Sequence, residues 1–298
     1  MPPMASEGDE PSRNETAAKF QGQTLHLTLN LTQPSHSGTR YTSPMCELLG
    51  MSANVPTDIC FSFRGLMQRG GATGPHRDGW GIAFYEGRGC RTFHDPTSSV
   101  NSPVAQLISN YPIKSRVVIS HIRQATHGRV CLENTHPFRR ELWGRDWVFA
   151  HNGKLKGIKQ WPLDHYKPIG TTDSEHAFCW VLDQLRDRYP KFPARPKTLR
   201  RIIRDLIDEV ATCGVFNMLL GDSRHLYAHC STDLAWITRR APFGEANLID
   251  ADFSINFASE TTPNDIVTVV ATRPLTDNEA WTTCKPHSFI AFEHGVPV

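Results

Sequence analysis

The sequence predicts an α+β protein built on antiparallel sheets, and two observations carry that prediction. Helical patterns come in clusters between groups of strands, and the last third of the chain is dense in short strands. The strict strand–helix alternation expected of a parallel sheet is missing. No internal repeat or linker breaks residues 46–298, so they read as one domain.

The chain divides at Cys46. Residues 1–45 are rich in Pro, Ser, Thr, Glu, Gly and Asn and poor in large apolar groups, the composition of a disordered leader. Within them Leu25, Leu27, Leu29 and Leu31 alternate with polar residues at the strand period. That segment fits an edge strand, a processed piece or translation upstream of the native start. Met45, standing directly before Cys46, favours the last; a propeptide released at Cys46 is the functional rival.

After Cys46 the pattern tightens. Thr57 and Asp58 are placed to cap a helix whose apolar positions are Ile59, Phe63, Leu66 and Met67, ended by Arg69-Gly70-Gly71. Strands are expected at Ile82–Tyr85, Arg116–Ile122 and Trp147–Ala150, and a short helix around Val104, Leu107 and Ile108. Thr172-x-x-Glu175 is a capping box opening a helix to Tyr189. A second helix over 198–213 gathers Leu199, Ile202, Ile203, Leu206, Ile207 and Val210 on one face. Strands then follow at Val215–Gly221, Leu226–Cys230, Leu234–Thr238, Ile266–Ala271 and Ser288–Phe292.

Composition narrows the function classes. A net charge of +2, from 32 basic and 30 acidic residues, gives no footprint for nucleic acid or an anionic membrane. No apolar run reaches the ~20 residues needed to span a bilayer, and the N-terminus is not a secretory signal. The eight cysteines are scattered without a Cys-x-x-Cys pair, which favours reduced thiols in a cytoplasmic setting over disulfides or structural zinc. His121, His127, His136 and His151 lack metal-ligand spacing, so neither a metal nor another cofactor is expected.

Four clusters hold the candidate chemistry, at strand ends or helix starts. Cys46, if freed of Met45, would carry a thiol and an α-amine able to take its proton; its plainer reading is a small buried hydrophobe. Arg123, in Ser120-His121-Ile122-Arg123-Gln124-Ala125-Thr126-His127-Gly128, can grip a carboxylate bidentately, or simply pair with an acidic neighbour. Asn152 and Gly153, after an apolar strand, are suitable oxyanion donors, or a plain Asn-Gly turn. Asp173, in the first turn of a helix, can meet an ammonium or merely complement the helix dipole. A nucleophilic thiol, a carboxylate grip, an ammonium partner and an oxyanion pocket together describe a site for an α-amino acid with a side-chain amide, which is glutamine.

In these motifs the chain resembles the class II glutamine amidotransferases of the N-terminal-nucleophile hydrolase group. The likeness runs from Met45 nearly to the C-terminus. It implies Cys46 as nucleophile, Arg69-Gly70 as a substrate-side pair whose glycine carbonyl lies near the nucleophile's amine, and Asn152 and Gly153 as the oxyanion hole. It also implies Arg123 on the substrate carboxylate with Thr126 and His127 alongside, and Asp173 on the ammonium. The implied fold is a four-layer αββα sandwich with Cys46 starting an inner strand. Three departures stand out: a leader that blocks the α-amine, a longer stretch between Arg69 and Gly79, and no room for an ammonia-consuming synthase. The expectation is therefore a stand-alone glutaminase-type enzyme passing ammonia to a separate partner. The rivals are hydrolysis of a γ-glutamyl amide in a larger peptide or thiol conjugate, which an open cleft near Trp80 would favour, and a catalytically silent glutamine-binding subunit.

Overall fold

The computed structural model describes residues 46–125 and 128–298. Its strands and helices run β1 (Glu47–Thr57), α1 (Cys60–Arg69), β2 (Trp80–Glu86), β3 (Gly89–Asp95), α2 (Pro103–Asn110), β4 (Ser115–Ile122), β5 (Phe138–Glu141) and β6 (Asp146–Leu155). There follow α3 (Asp173–Arg188), α4 (Pro196–Ala211), β7 (Gly214–Gly221), β8 (His225–Cys230) and β9 (Ala235–Arg240). The chain closes with β10 (Glu245–Asn247), β11 (Ser254–Asn256), α5 (Phe257–Glu260), β12 (Ile266–Ala271), β13 (Thr282–Thr283), β14 (Ser288–Glu293) and β15 (Val296–Pro297).

The two large sheets have strand orders β13-β9-β12-β1-β4-β2-β3 and β15-β14-β8-β7-β6-β5, with antiparallel pairing in both. Strand alternation sorts their side chains into layers. Leu49 and Met51 of β1, with Ile82 of β2, join Phe63 and Leu66 of α1 in one apolar cluster. Trp147 and Phe149 of β6 join Phe178 and Leu182 of α3 and Ile203 and Leu206 of α4 in another. The intervening positions, Leu48, Ile119, Val148, Ala150, Leu219 and Val270, meet between the sheets. Gly50 marks how closely the sheets approach, because a Cβ there would lie 2.9 Å from Leu226 Cδ2. The result is the expected αββα sandwich.

Local differences have local causes. Thr57 ends β1 instead of capping α1, whose first residue is Cys60; the Asp58 carboxylate still accepts the Cys60 N–H at 3.2 Å. In α3 the Thr172 hydroxyl takes the Glu175 N–H at 3.1 Å, completing half of the capping box. Glu175 instead turns to Ile169 N (3.0 Å), Gly170 N (2.7 Å) and Arg140 (2.6 Å). The leucine alternation at 25–31 lies outside the described residues. No helix among the described residues is long and apolar enough to cross a membrane.

Candidate active site

Register alone sets Cys46 beside Arg123. Glu47 stands opposite Ile122 in the β1–β4 ladder, so the residue before one faces the residue after the other. The Cys46 Sγ accepts the Gln124 N–H at 3.2 Å and lies 3.4 Å from the Gln124 carbonyl, which its S–H can reach as donor. Desolvation pushes this thiol up to about 11, with the Gln124 N–H and the Arg123 charge pulling the other way. In the chain as numbered, residue 46 carries a peptide nitrogen, so no α-amine stands ready to take that proton.

Arg69 takes a different place from the substrate-side one expected of it. The residue is 3% exposed and its guanidinium is committed to protein. It donates to Asp250 (2.7 Å), Glu47 (3.1 Å) and the carbonyls of Arg273 (3.3 Å) and Pro274 (2.6 Å). Glu47, buried next to Cys46, also pairs with Arg273. Arg69 thus fixes the start of β1 rather than opening toward a ligand. The Gly70 carbonyl accepts the Ser98 hydroxyl. A Cβ at Gly70 would fall 1.8 Å from Ser99 Oγ, which accounts for the glycine by packing.

Arg123 sits at the end of β4, 4% exposed. Its Nη1 donates to the carbonyls of Arg129 (3.2 Å) and Asp78 (3.4 Å). The loop at 78–79 brackets it from the other side, through Asp78 N to Arg123 O (3.1 Å) and Arg123 N to Gly79 O (2.8 Å). The Asp78 carboxylate accepts the Ala125 N–H at 2.7 Å. Asn134, buried, joins this region to the start of α3: its amide donates to Arg129 O (3.1 Å) and its carbonyl accepts the Thr171 N–H (2.8 Å). A Cβ at Gly128 would be 3.8 Å from both Arg123 Nη2 and Thr171 Oγ1. The end of β4 and the opening of α3 therefore converge. Thr126 and His127 lie outside the described residues.

On β6, Asn152 shares the inter-sheet face with Val148 and Ala150, while His151 points to the helices. The His151 ring lies between Ser174 Oγ (2.8 Å) and the Val215 carbonyl (3.1 Å). The carbonyl can only accept, so Nε2 carries the proton and Nδ1 accepts from Ser174. Gly153 has φ +153°, and a Cβ there would stand 1.9 Å from the Val215 carbonyl oxygen; only glycine fits. Asp173 accepts the Leu155 N–H (2.8 Å) and its own neighbour's Ser174 N–H (3.0 Å), one on each oxygen, tying the end of β6 to α3. Each oxygen keeps a further acceptor site.

Several buried polar atoms here have no hydrogen-bond partner among the described residues. They are the Asn152 side-chain oxygen and nitrogen, Gln124 Oε1, and both ring nitrogens of His121 and of His136. The two imidazoles lie 4.3 Å apart between ring centroids, tilted by 34°. Desolvation lowers His121 to about 3, and His136 lies well below the usual histidine range for the same reason. Unsatisfied groups of this kind each cost about 1–3 kcal/mol when nothing fills their valence, so they cluster where a ligand or water completes them. Asn152, unpartnered, stands with its backbone carbonyl held by Asn217 at 3.3 Å. Among the described residues no set of three His, Cys, Asp or Glu side chains gathers as for a metal ion.

Sequence reasoning did not single out Glu47, Asp78, Asn134 or Asn217. Their only sequence signal is polarity beside a predicted strand or turn; burial and hydrogen bonding give them their place. Trp80, the expected marker of a cleft, is fully buried against Phe63 at 5.7 Å, so no cleft opens on its ring.

A family profile described as Glutamine amidotransferases class-II matches residues 45–298. The chain belongs to that family. YafJ of Escherichia coli (strain K12), named as a glutamine amidotransferase, is 62% identical over 83% of this chain and 97% of its own length. The Methanocaldococcus jannaschii protein MJ1515, uncharacterised by name, is 34% identical over 84% of this chain and 70% of its own. A crystal structure from Pseudomonas aeruginosa PA01, likewise named as a glutamine amidotransferase, superposes with a TM-score of 0.69 at 52% identity, covering 85% of this chain and 99% of that one. The glutamine phosphoribosylpyrophosphate amidotransferase of B. subtilis shares the fold at 14% identity, with a TM-score of 0.54 over 85% of this chain and 48% of its own. Family membership makes the sandwich an N-terminal-nucleophile hydrolase fold and its cysteine-headed inner strand the natural focus.

Proposed function

We propose that the chain, in a form beginning at Cys46, hydrolyses the γ-amide of glutamine to glutamate and ammonia through a Cys46 thioester. The observations that support this are Cys46, seated on the Gln124 N–H directly after Arg123, and a buried Asn152 on the inter-sheet face whose side chain has no hydrogen-bond partner among the described residues. In the reading, the freed α-amine takes the thiol proton through a water, and the thiolate adds to the γ-carbonyl carbon. Asn152 Nδ2 and the Gly153 N–H stabilise the oxyanion, where loss of one donor costs about 10²–10³ in rate. The C–N bond breaks as the ammonium returns a proton to the leaving nitrogen, giving ammonia. Water then cleaves the thioester, releasing glutamate and restoring the thiol. Arg123 holds the substrate α-carboxylate, with Thr126 and His127 beside it, and Asp173 holds the α-ammonium through its remaining acceptor sites. The ammonia passes to a separate synthase in the cytoplasm.

A second reading, hydrolysis of a γ-glutamyl amide in a larger molecule, is favoured by exposed apolar side chains on the converging loops. Val130 and Leu132 lie near the Arg129 carbonyl that holds Arg123, and Ile169 lies near the Thr171–Asp173 turn; they are 50%, 57% and 76% exposed. Such groups suit a substrate body that reaches beyond glutamine.

The test is glutamate release from L-glutamine by a chain started at Met45, its N-terminus verified as Cys46 by intact mass. Turnover that disappears in Cys46→Ala supports the first reading. Turnover only with γ-glutamyl amides supports the second. Glutamine binding without thioester formation would replace both with a silent binding subunit.

A further inference from the structure

Helix α4 carries its charges against its own dipole. Helix starts favour acidic side chains and helix ends favour basic ones, because unpaired N–H groups gather at the start and unpaired C=O groups at the end. In α4 the first turn has no acid and the last turn no base. Instead Lys197, Arg200, Arg201 and Arg204 lie within its first nine residues, while Asp205, Asp208 and Glu209 follow toward the end. Arg195 stands at the N-cap without a side-chain cap bond, a position that Ser, Thr, Asp and Asn fill best. Since this layout weakens the helix, helix stability does not account for the cations.

Nor do neighbouring acids. Among the described residues none of these four cations is ion-paired; the contacts of Arg204 are the Phe289 carbonyl at 3.4 Å and the Phe289 ring at 5.3 Å. The four line one concavity of about 250 Å³ together with Phe289 and Ala291 of β14 and with Val298. The opposite face of α4, from Leu199 to Val210, is locked in the core, so the cations are held on a fixed frame.

We propose that this cleft, on the helical layer over β14, is a binding site for a small phosphate-bearing polyanion. Guanidinium groups grip phosphate oxygens bidentately, and the cleft concentrates four positive charges over a volume of metabolite size. A nucleic-acid strand would call for an electropositive track, and the chain's net charge of +2 supplies none. The site belongs to another face of the sandwich chemistry altogether: none of its residues takes part in the proposed amide hydrolysis.

The experiment is titration of the full chain with pyrophosphate, followed by calorimetry and thermal melting, against sodium chloride at matched ionic strength. Saturable one-site binding and a rise of a few °C in melting temperature are expected. Arg200→Glu/Arg201→Glu should lose at least about tenfold in affinity, yet melt without pyrophosphate within a few °C of the parent, since neither side chain is buried. Should that variant misfold, the exposed single change Arg201→Gln carries the same affinity test. A shift that sodium chloride reproduces, or one that both variants retain, overturns the proposal. So does displacement of pyrophosphate by a single-stranded oligonucleotide of higher affinity, which would make the face a nucleic-acid surface.

Discussion

Asn152 and Asn217 face each other in the β6–β7 ladder, and their side chains have opposite states. The Asn217 carbonyl accepts Ser231 N (2.9 Å) and Thr232 N (3.0 Å), and its amide reaches Thr232 Oγ1 (2.8 Å). Asn217→Ala therefore leaves the partly buried Ser231 and Thr232 N–H groups without their acceptor, and denaturant unfolding should report a loss of about 1–3 kcal/mol. Asn152→Ala removes a side chain that has no hydrogen-bond partner among the described residues. It should cost under about 1 kcal/mol in stability while lowering glutamate release by about 10²–10³. Equal stability losses in the two variants, with turnover intact in Asn152→Ala, would remove Asn152 from the oxyanion role. Gly153→Ala is the neighbouring contrast. The close approach of Val215 O and the positive φ should make it unfold about 2–4 kcal/mol more easily, whatever it does to rate.

At the scale of elements, much of the architecture was legible because burial imposes periodicity. The amphipathic α4 and the apolar runs of β4, β7, β8 and β12 follow from apolar spacing. Edge strands were harder. β3 reads Gly-Cys-Arg-Thr-Phe-His-Asp and β5 reads Phe-Arg-Arg-Glu; each has one neighbour, so little of its surface is selected for burial. β1 was hidden for the opposite reason, since its first seven residues are buried on both faces and leave no alternation to see. At the candidate site, Arg123 and Asn152 stood out because they follow predicted strands, and Cys46 because it follows a methionine at the end of the leader. The role of Arg69 was not, since local sequence does not reveal Glu47 and Asp250 closing around it. That network makes a prediction about β1. Arg69→Met leaves the Glu47 carboxylate buried beside only Arg273, and should cost about 3–5 kcal/mol. Urea unfolding measures it; a loss below about 1 kcal/mol would mean that Arg69 does not anchor the strand.

Across the whole molecule, the buried histidines couple the sandwich to pH. His94, His121, His136, His151 and His229 all lie below the ordinary value of 6.5, with burial as the leading cause in each. Nearby charges oppose protonation further: His121 faces His151, Arg123 and His76, offset in part by the His151 backbone, and His136 faces His121, His151, Arg123 and His94. The unfolded chain therefore takes up protons first as pH falls. Stability contributed by the neutral rings is complete above about 6.5 and is lost progressively toward 3, the folded value of His121, at up to about 1.4 kcal/mol per pH unit for each ring. Asp222, Glu279 and Glu293, held below their ordinary values, add their own loss only in the carboxylate range beneath that. The midpoint of urea unfolding should thus stay level from pH 8 to about 7 and then fall steadily between 6.5 and 4.5. His136→Phe removes one titrating ring while keeping an aromatic against Phe138, which lies 4.3 Å away. Its stability should fall less steeply over the same window, even if its value at pH 7 is lower. A parallel pH profile in that variant would show that the buried imidazoles do not set the acid limit of the fold.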